Sequence, residues 1–197
     1  MKDKLLVHAC CGPCLVGVYE NIEQNLEEYG LNILNDFDVI WYNPNIHPKE
    51  EYELRKETLQ QFLEIKNKEG IYLDEYNLLV WAKNALNFKE NGYEFRCEYC
   101  YISRLEKVFE YARDNGYTMV TTTLLISPYQ KHDIICRICN MLAEKYNLKF
   151  VYKDYREIFW DGQHKAKDLG LYRQKYCGCI FSIDEGGKKN GKKKNNK

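Results

Sequence analysis

The chain has 197 residues, 45% of them hydrophobic, with 29 basic and 29 acidic side chains. That length supports one domain with a substantial core, so metal is not needed merely to offset small size. The N-terminal apolar run Leu5-Leu6-Val7 is far shorter than an export-signal core or the roughly 20 residues of a membrane span, and the chain reads as cytoplasmic, with no membrane partner.

The balanced charge hides an asymmetry. Residues 186–197 hold six lysines and no acid, which leaves residues 1–185 with 23 basic against 29 acidic side chains, a net of −6. A Gly/Asn/Lys run without apolar residues cannot bury enough surface to order itself, so a disordered basic tail is expected on an acidic body. It could gather the phosphates of a polynucleotide or simply stay solvated.

In chain order, Leu5 to Ala9 is a short apolar strand ending at the first cysteines, and Leu15 to Tyr29 has helical periodicity. Asp38 to Tyr42 is a second strand, stopped by Asn43-Pro44-Asn45. Pro48 suits the first turn of a helix running through Glu50 to Glu69, where Glu51 and Arg55 are spaced for a surface i, i+4 pair. Ile71 to Asp74 is a third strand and Tyr76 to Glu90 a helix. Cys97 to Asn115 is a helix, Tyr117 to Leu125 a strand, Asp133 to Tyr146 a helix and Leu148 to Tyr152 a last strand. An irregular or short-helical segment follows to Gly170. This alternation favours a single α/β domain, a parallel sheet flanked by helices, across residues 1–185.

Nine cysteines dominate the chemistry, grouped as Cys10-Cys11-x-x-Cys14, Cys97-x-x-Cys100, Cys136-x-x-Cys139 and Cys177-x-Cys179. In a reducing compartment such grouping points to metal ligation before disulfide stapling. Cys10, Cys11 and Cys14 fall where the first strand meets the first helix, the place in open parallel sheets where ligands gather, and the helix N-terminus lowers thiolate pKa there. Cys97 and Cys100 share a helix face and supply two more sulfurs. Two such pairs suit a 4Fe-4S cluster, and the same count suits structural zinc. Cys177-Gly178-Cys179 can chelate a second metal or close a strained, reducible disulfide. Cys136 and Cys139 lie in the apolar series Ile134, Ile135, Ile138 and Leu142 and are read as core packing. His8, in the first strand, is read as a satisfied core residue. Asn43 and Asn45 could read a base or ribose or serve the turn around Pro44, and Arg173 could clamp a phosphate.

Five stretches carry a resemblance: Leu5 to Cys14 (Leu-Leu-Val-His-Ala-Cys-Cys-Gly-Pro-Cys), Trp41 to Ile46, Arg96 to Cys100, Thr122 to Pro128 and Leu171 to Cys179. In these, over about Lys4 to Ser182, the chain resembles the QueH-type epoxyqueuosine reductases. The resemblance implies a nucleotide-hydrolase-like, Rossmann-like sandwich. It implies an iron-dependent, cobalamin-free oxidoreductase that removes the epoxide oxygen of epoxyqueuosine at the wobble position of tRNAs with GUN anticodons. It also implies that Cys10, Cys11, Cys97 and Cys100 bind a 4Fe-4S cluster. Cys14, Cys177 and Cys179 would serve an adjacent mononuclear iron and act in catalysis, or Cys177 and Cys179 would form a redox-active disulfide. Some family members have Asp at the position of Cys14. Tyr172, Tyr176 or water are candidate proton donors. Without a G-x-G-x-x-G turn for nicotinamide, electrons are expected from a small protein such as ferredoxin or flavodoxin.

Two rivals share some of these features. One is an ATP-using tRNA thiolation enzyme, which the absence of a phosphate loop disfavours; the other is a non-catalytic zinc protein that binds RNA.

Overall fold

The computed structural model describes residues 4–33 and 36–182. The expected lysine-rich tail, residues 186–197, lies outside them. The elements are β1 (Leu5–His8), α1 (Gly12–Gln24), β2 (Phe37–Trp41), α2 (Lys49–Ile65), β3 (Gly70–Tyr72), α3 (Leu78–Leu86), α4 (Arg96–Asp114), β4 (Met119–Thr122), α5 (His132–Tyr146), β5 (Lys149–Phe150) and α6 (Phe159–Asp168). No helix among the described residues is long and apolar enough to cross a membrane.

All five strands run parallel in the order β3-β2-β1-β4-β5, with Leu5 opposite Phe37 on one side and Met119 on the other. β1 and β4 are buried along their whole length, as the apolar runs of a sheet covered on both faces should be. Packing of α1 on α2, and of α4 on α5, places one helical layer on each face, the arrangement that right-handed crossovers produce. The chain winds outward from β1 to β3, then returns to β4 and winds the other way. The strand order therefore reverses between β1 and β4, and a crevice opens at their carboxyl ends.

One local difference from the sequence expectation shapes that crevice. The strand expected to reach Leu125 stops at Thr122, whose hydroxyl accepts from Leu124 N at 3.1 Å and turns Thr123–Ile126 into a 3₁₀ coil. The segment after β5, expected to be irregular or short-helical, holds the short helix α6, which returns to pack on α1. That crossing is close: a Cβ on Gly162 would sit 3.2 Å from the Gly17 backbone, and one on Gly17 would meet Ile126 at 2.8 Å.

Candidate metal centre

The turn after β1 builds the first sulfur group. Cys11 caps α1 in extended conformation, its sulfur accepting from Cys14 N at 3.4 Å, a role usually taken by Ser, Thr, Asp or Asn. Pro13 sits in the first helical turn, where its missing N–H costs nothing. Gly12 lets the turn lie against α2, since a Cβ there would be 2.9 Å from the Thr58 carbonyl oxygen. As a result the sulfurs of Cys10, Cys11 and Cys14 all lie within 4.8 Å of one another.

Neighbouring side chains address these sulfurs. Thr123 Oγ1 donates to Cys10 Sγ at 3.1 Å and accepts from Cys10 N at 2.9 Å, stitching the ends of β1 and β4 together. Gln174 Nε2 donates to Cys11 Sγ at 2.8 Å. Hydrogen bonds from Cys11 and Cys14 hold Cys10 well below the ordinary thiol range, against its burial and with help from the Arg104 charge. Cys14 is pushed up by its bonds to Cys10 and Cys11, and Cys11 chiefly by burial. Three sulfurs this close, one of them shifted toward the thiolate, make a donor set suited to a thiophilic cation that would replace their protons.

The second group comes from α4 and the C-terminal loop. Cys97 and Cys100 stand one turn apart at the start of α4. Cys100 packs with Trp81 and Ala85 of α3, and Cys179 lies against the same cluster. Burial pushes the Cys100 thiol up to about 12, opposed by the Arg104 charge and with smaller contributions from Cys179, Cys177 and Cys97. Cys179 pairs with Ile46 in an antiparallel bridge and His47 N donates to the Gly178 carbonyl at 2.8 Å, which folds this loop back across the end of β2.

A cavity of about 360 Å³ opens at the carboxyl end of the sheet, and one cysteine of the second group reaches it. Cys10, Cys14 and Cys177 line it, with Arg55, Arg104, Leu124, Phe159 and Gln174 among the other walls. Cys97, Cys100 and Cys179 are not in its lining. Arg104 lies on α4 one turn beyond Cys100, and its charge acts on both Cys10 and Cys100.

The remaining candidates fall as follows. Asn43 is buried; its Nδ2 donates to the Ala9 carbonyl at 2.9 Å and its Oδ1 accepts from Arg104 Nη2. Asn45 is equally buried, and neither asparagine lines the cavity. Arg173 is exposed on the loop, its Nη1 3.5 Å from the Gln163 carbonyl. Tyr172 donates to Glu51 at 2.8 Å and Tyr176 to the His47 carbonyl, so each hydroxyl proton is already engaged. His8 is the satisfied core residue expected, bonded to Thr122 at 2.8 Å and the Tyr42 carbonyl at 3.2 Å, with burial lowering its pKa to about 3. Cys139 is buried in the core and Cys136 packs beside it.

One expectation is corrected. Arg55 does pair with Glu51, at 2.6 Å, but it is no surface residue: it is 2% exposed, because the C-terminal loop folds over it. Arg104, Gln174 and Thr123 were not singled out by the sequence. For Arg104 a signal existed, since it follows Cys100 by four residues on the same helix face.

Fold and site together define a doubly wound α/β protein with a thiol-lined pocket at its switch point. The family is shown by comparison: a family model described as Epoxyqueuosine reductase QueH matches residues 5–185, and the chain belongs to this family. It is similar to proteins named epoxyqueuosine reductase QueH from Dehalococcoides mccartyi, 35% identical over 183 residues covering 92% of this chain and 93% of that one, and from Thermotoga maritima, 33% identical over 187 residues covering 92% and 91%. A third relative of that name, from Histophilus somni, is 36% identical over 190 residues, covering 92% of this chain and 72% of its own length.

Proposed function

We propose that this chain is an epoxyqueuosine reductase acting on tRNA. The observation that carries the reading is the meeting of Cys10, Cys14 and Cys177, from distant parts of the chain, on one cavity at the sheet's switch point. In the reaction both C–O bonds of the epoxide break, a C=C bond forms, and two electrons and two protons remove the oxygen as water. The cavity volume falls in the usual range for small-molecule sites, which suits a nucleoside side arm entering from an RNA loop.

Iron is the proposed metal, and the donor set fits it: Cys10, Cys11 and Cys14 offer three sulfurs within 4.8 Å of one another beside the N-terminus of α1. Cys10, Cys11, Cys97 and Cys100 would hold a 4Fe-4S cluster. Cys14, Cys177 and Cys179 would serve a second iron, with the Cys177–Cys179 disulfide as the other form of that pair. When bound, these centres would supply single electrons and a Lewis acid for the epoxide oxygen.

The protein's own groups set the conditions. Gln174 and Thr123 donate to sulfur, and the Arg104 charge favours the anionic form of Cys10, all of which stabilise an electron-rich sulfur set. Leu124 and Phe159 give the cavity apolar walls that limit water. Since the Tyr172 and Tyr176 protons are engaged, the protons are assigned to water entering the open side of the cavity. The electron donor is proposed to be a small one-electron carrier protein of ferredoxin or flavodoxin type, and the working compartment the cytoplasm.

The test is an anaerobic assay of the iron-loaded protein with a chemical reductant and tRNA carrying epoxyqueuosine, followed by nucleoside mass analysis. Loss of one oxygen from the modified nucleoside is expected. An unchanged nucleoside beside a zinc-loaded, colourless protein would favour the RNA-binding rival instead.

A further inference from the structure

The cavity mouth carries an aromatic ring that the fold leaves bare. Tyr129 lines the cavity and is nevertheless 74% exposed. Its ring meets Phe159 edge to face, at 81° with centroids 6.1 Å apart, and Phe159 meets the exposed Trp160 in the same way at 5.0 Å. A short run of rings thus leads from the cavity wall onto the surface.

The backbone beneath this ring is pinned on both sides. Ser127 Oγ accepts from Tyr129 N at 3.3 Å, and the Ser127 carbonyl accepts from Gln130 N at 3.2 Å. Tyr101, buried on α4, donates to Gln130 Oε1 at 2.7 Å and accepts from Lys131 N at 3.1 Å. The ring is therefore presented by a fixed turn, and little ordering is left to be done when a ligand settles on it. Lys175 lines the same cavity, exposed and with no ion-pair partner among the described residues. A bare π face and an unpaired cation at one opening match a nucleobase and its phosphate, the two features that single-stranded RNA offers together.

We propose that Tyr129 is a stacking platform for the nucleobase next to the reacting nucleoside, with Lys175 meeting the phosphate between them. This deepens the reductase reading and rests on it. A nucleoside that turns into the cavity leaves its neighbour in the RNA loop without a stacking partner, and a ring at the mouth replaces that partner. The ligand class is a single-stranded loop that brings a second base with the modified one; the free nucleoside has none to offer. Because the ring touches only the neighbour, it holds ground state and transition state alike and acts on binding, not on the chemical step. Tyr129 is thus a positioning residue.

The experiment uses iron-loaded wild type, Tyr129→Phe and Tyr129→Ala with three anticodon stem-loops carrying epoxyqueuosine: one intact, one abasic just before the modified nucleoside and one abasic just after it. Tyr129→Ala should bind the intact loop roughly 5- to 150-fold more weakly, the usual worth of one base stacked on an aromatic ring, while Tyr129→Phe keeps wild-type affinity. KM should rise with the weaker binding, and kcat, iron content and melting temperature should stay unchanged. Wild type should lose a similar factor with one of the abasic loops, and Tyr129→Ala should lose nothing further with that same loop. Full affinity in Tyr129→Ala, a loss that persists undiminished on both abasic loops, or a fall in kcat with KM unmoved overturns the platform. So does a wild type that binds all three loops equally, a comparison that needs no variant to fold. A wild type that binds the loops and reduces none overturns the function reading instead, so the two failures are distinguishable.

Discussion

Arg55 stands directly over Gly178: its Nη1 lies 2.9 Å from where a Cβ on that glycine would be, and its Nη2 donates to the Tyr176 carbonyl at 3.0 Å. Gly178 has a φ of +96°, outside the range other residues adopt comfortably. The tight Cys177-Gly178-Cys179 turn is thus held against α2 by a buried guanidinium that only a glycine can accept at this distance.

Gly178→Ala is accordingly expected to displace the turn and its two cysteines. Both the left-handed backbone and contact with Arg55 and Ile46 oppose the new methyl group, at a cost of about 1–3 kcal/mol. Denaturant unfolding should show the loss, and iron retained after anaerobic loading should fall with it. An alanine variant with full iron and unchanged unfolding would mean the turn is not held this way.

Arg55→Met should be more damaging than an ordinary surface substitution. The Arg55 and Glu51 side chains are 3% and 11% exposed, so removing the cation strands a largely buried carboxylate with Tyr172 as its remaining partner. A loss of about 3 kcal/mol is expected, with part of it recovered in Arg55→Met/Glu51→Leu, where neither charge is left. A double-mutant cycle in urea checks the coupling.

The crossing of α1 and α6 admits little bulk. Gly162→Val should destabilise the fold by about 1–3 kcal/mol through overpacking against Gly17, seen as a lowered melting temperature. Since neither glycine touches a sulfur group directly, the specific activity of the folded fraction should stay near wild type.

Cys139→Ala and Cys136→Ala separate packing from ligation. Cys139 is fully enclosed in the core, and its loss should lower thermal stability modestly while the iron complement and visible absorbance stay unchanged. A reduced iron count in either variant would move these cysteines into the metal centre.

Much of the fold was legible because parallel strands buried on both faces write themselves as short apolar runs, as Leu5 to His8 does, with Gly and Pro marking the breaks. Strand ends were less legible. Tyr117 to Leu125 is rich in β-branched residues and has no Gly or Pro break, so only the Thr122 hydroxyl, accepting from Leu124 N, reveals where β4 stops. The cysteine clusters were visible as pairs, yet their grouping in space depends on the C-terminal loop folding across β2, a long-range contact no local pattern encodes. Arg55 looked like a surface partner for the same reason: its i, i+4 spacing to Glu51 is correct, and its burial is supplied by residues more than a hundred positions away. Asn43 read as a turn or substrate residue, whereas its amide ties Ala9 to Arg104, a role that needs three separate elements to meet.

The most direct measurement is anaerobic purification of wild type and Cys97→Ser with iron and sulfide analysis, visible absorbance and turnover on epoxyqueuosine-bearing tRNA. Cys97→Ser should lose cluster absorbance and turnover together while keeping its fold. Full turnover by a metal-free Cys97→Ser protein would contradict the claim that both sulfur groups serve one iron-bearing crevice.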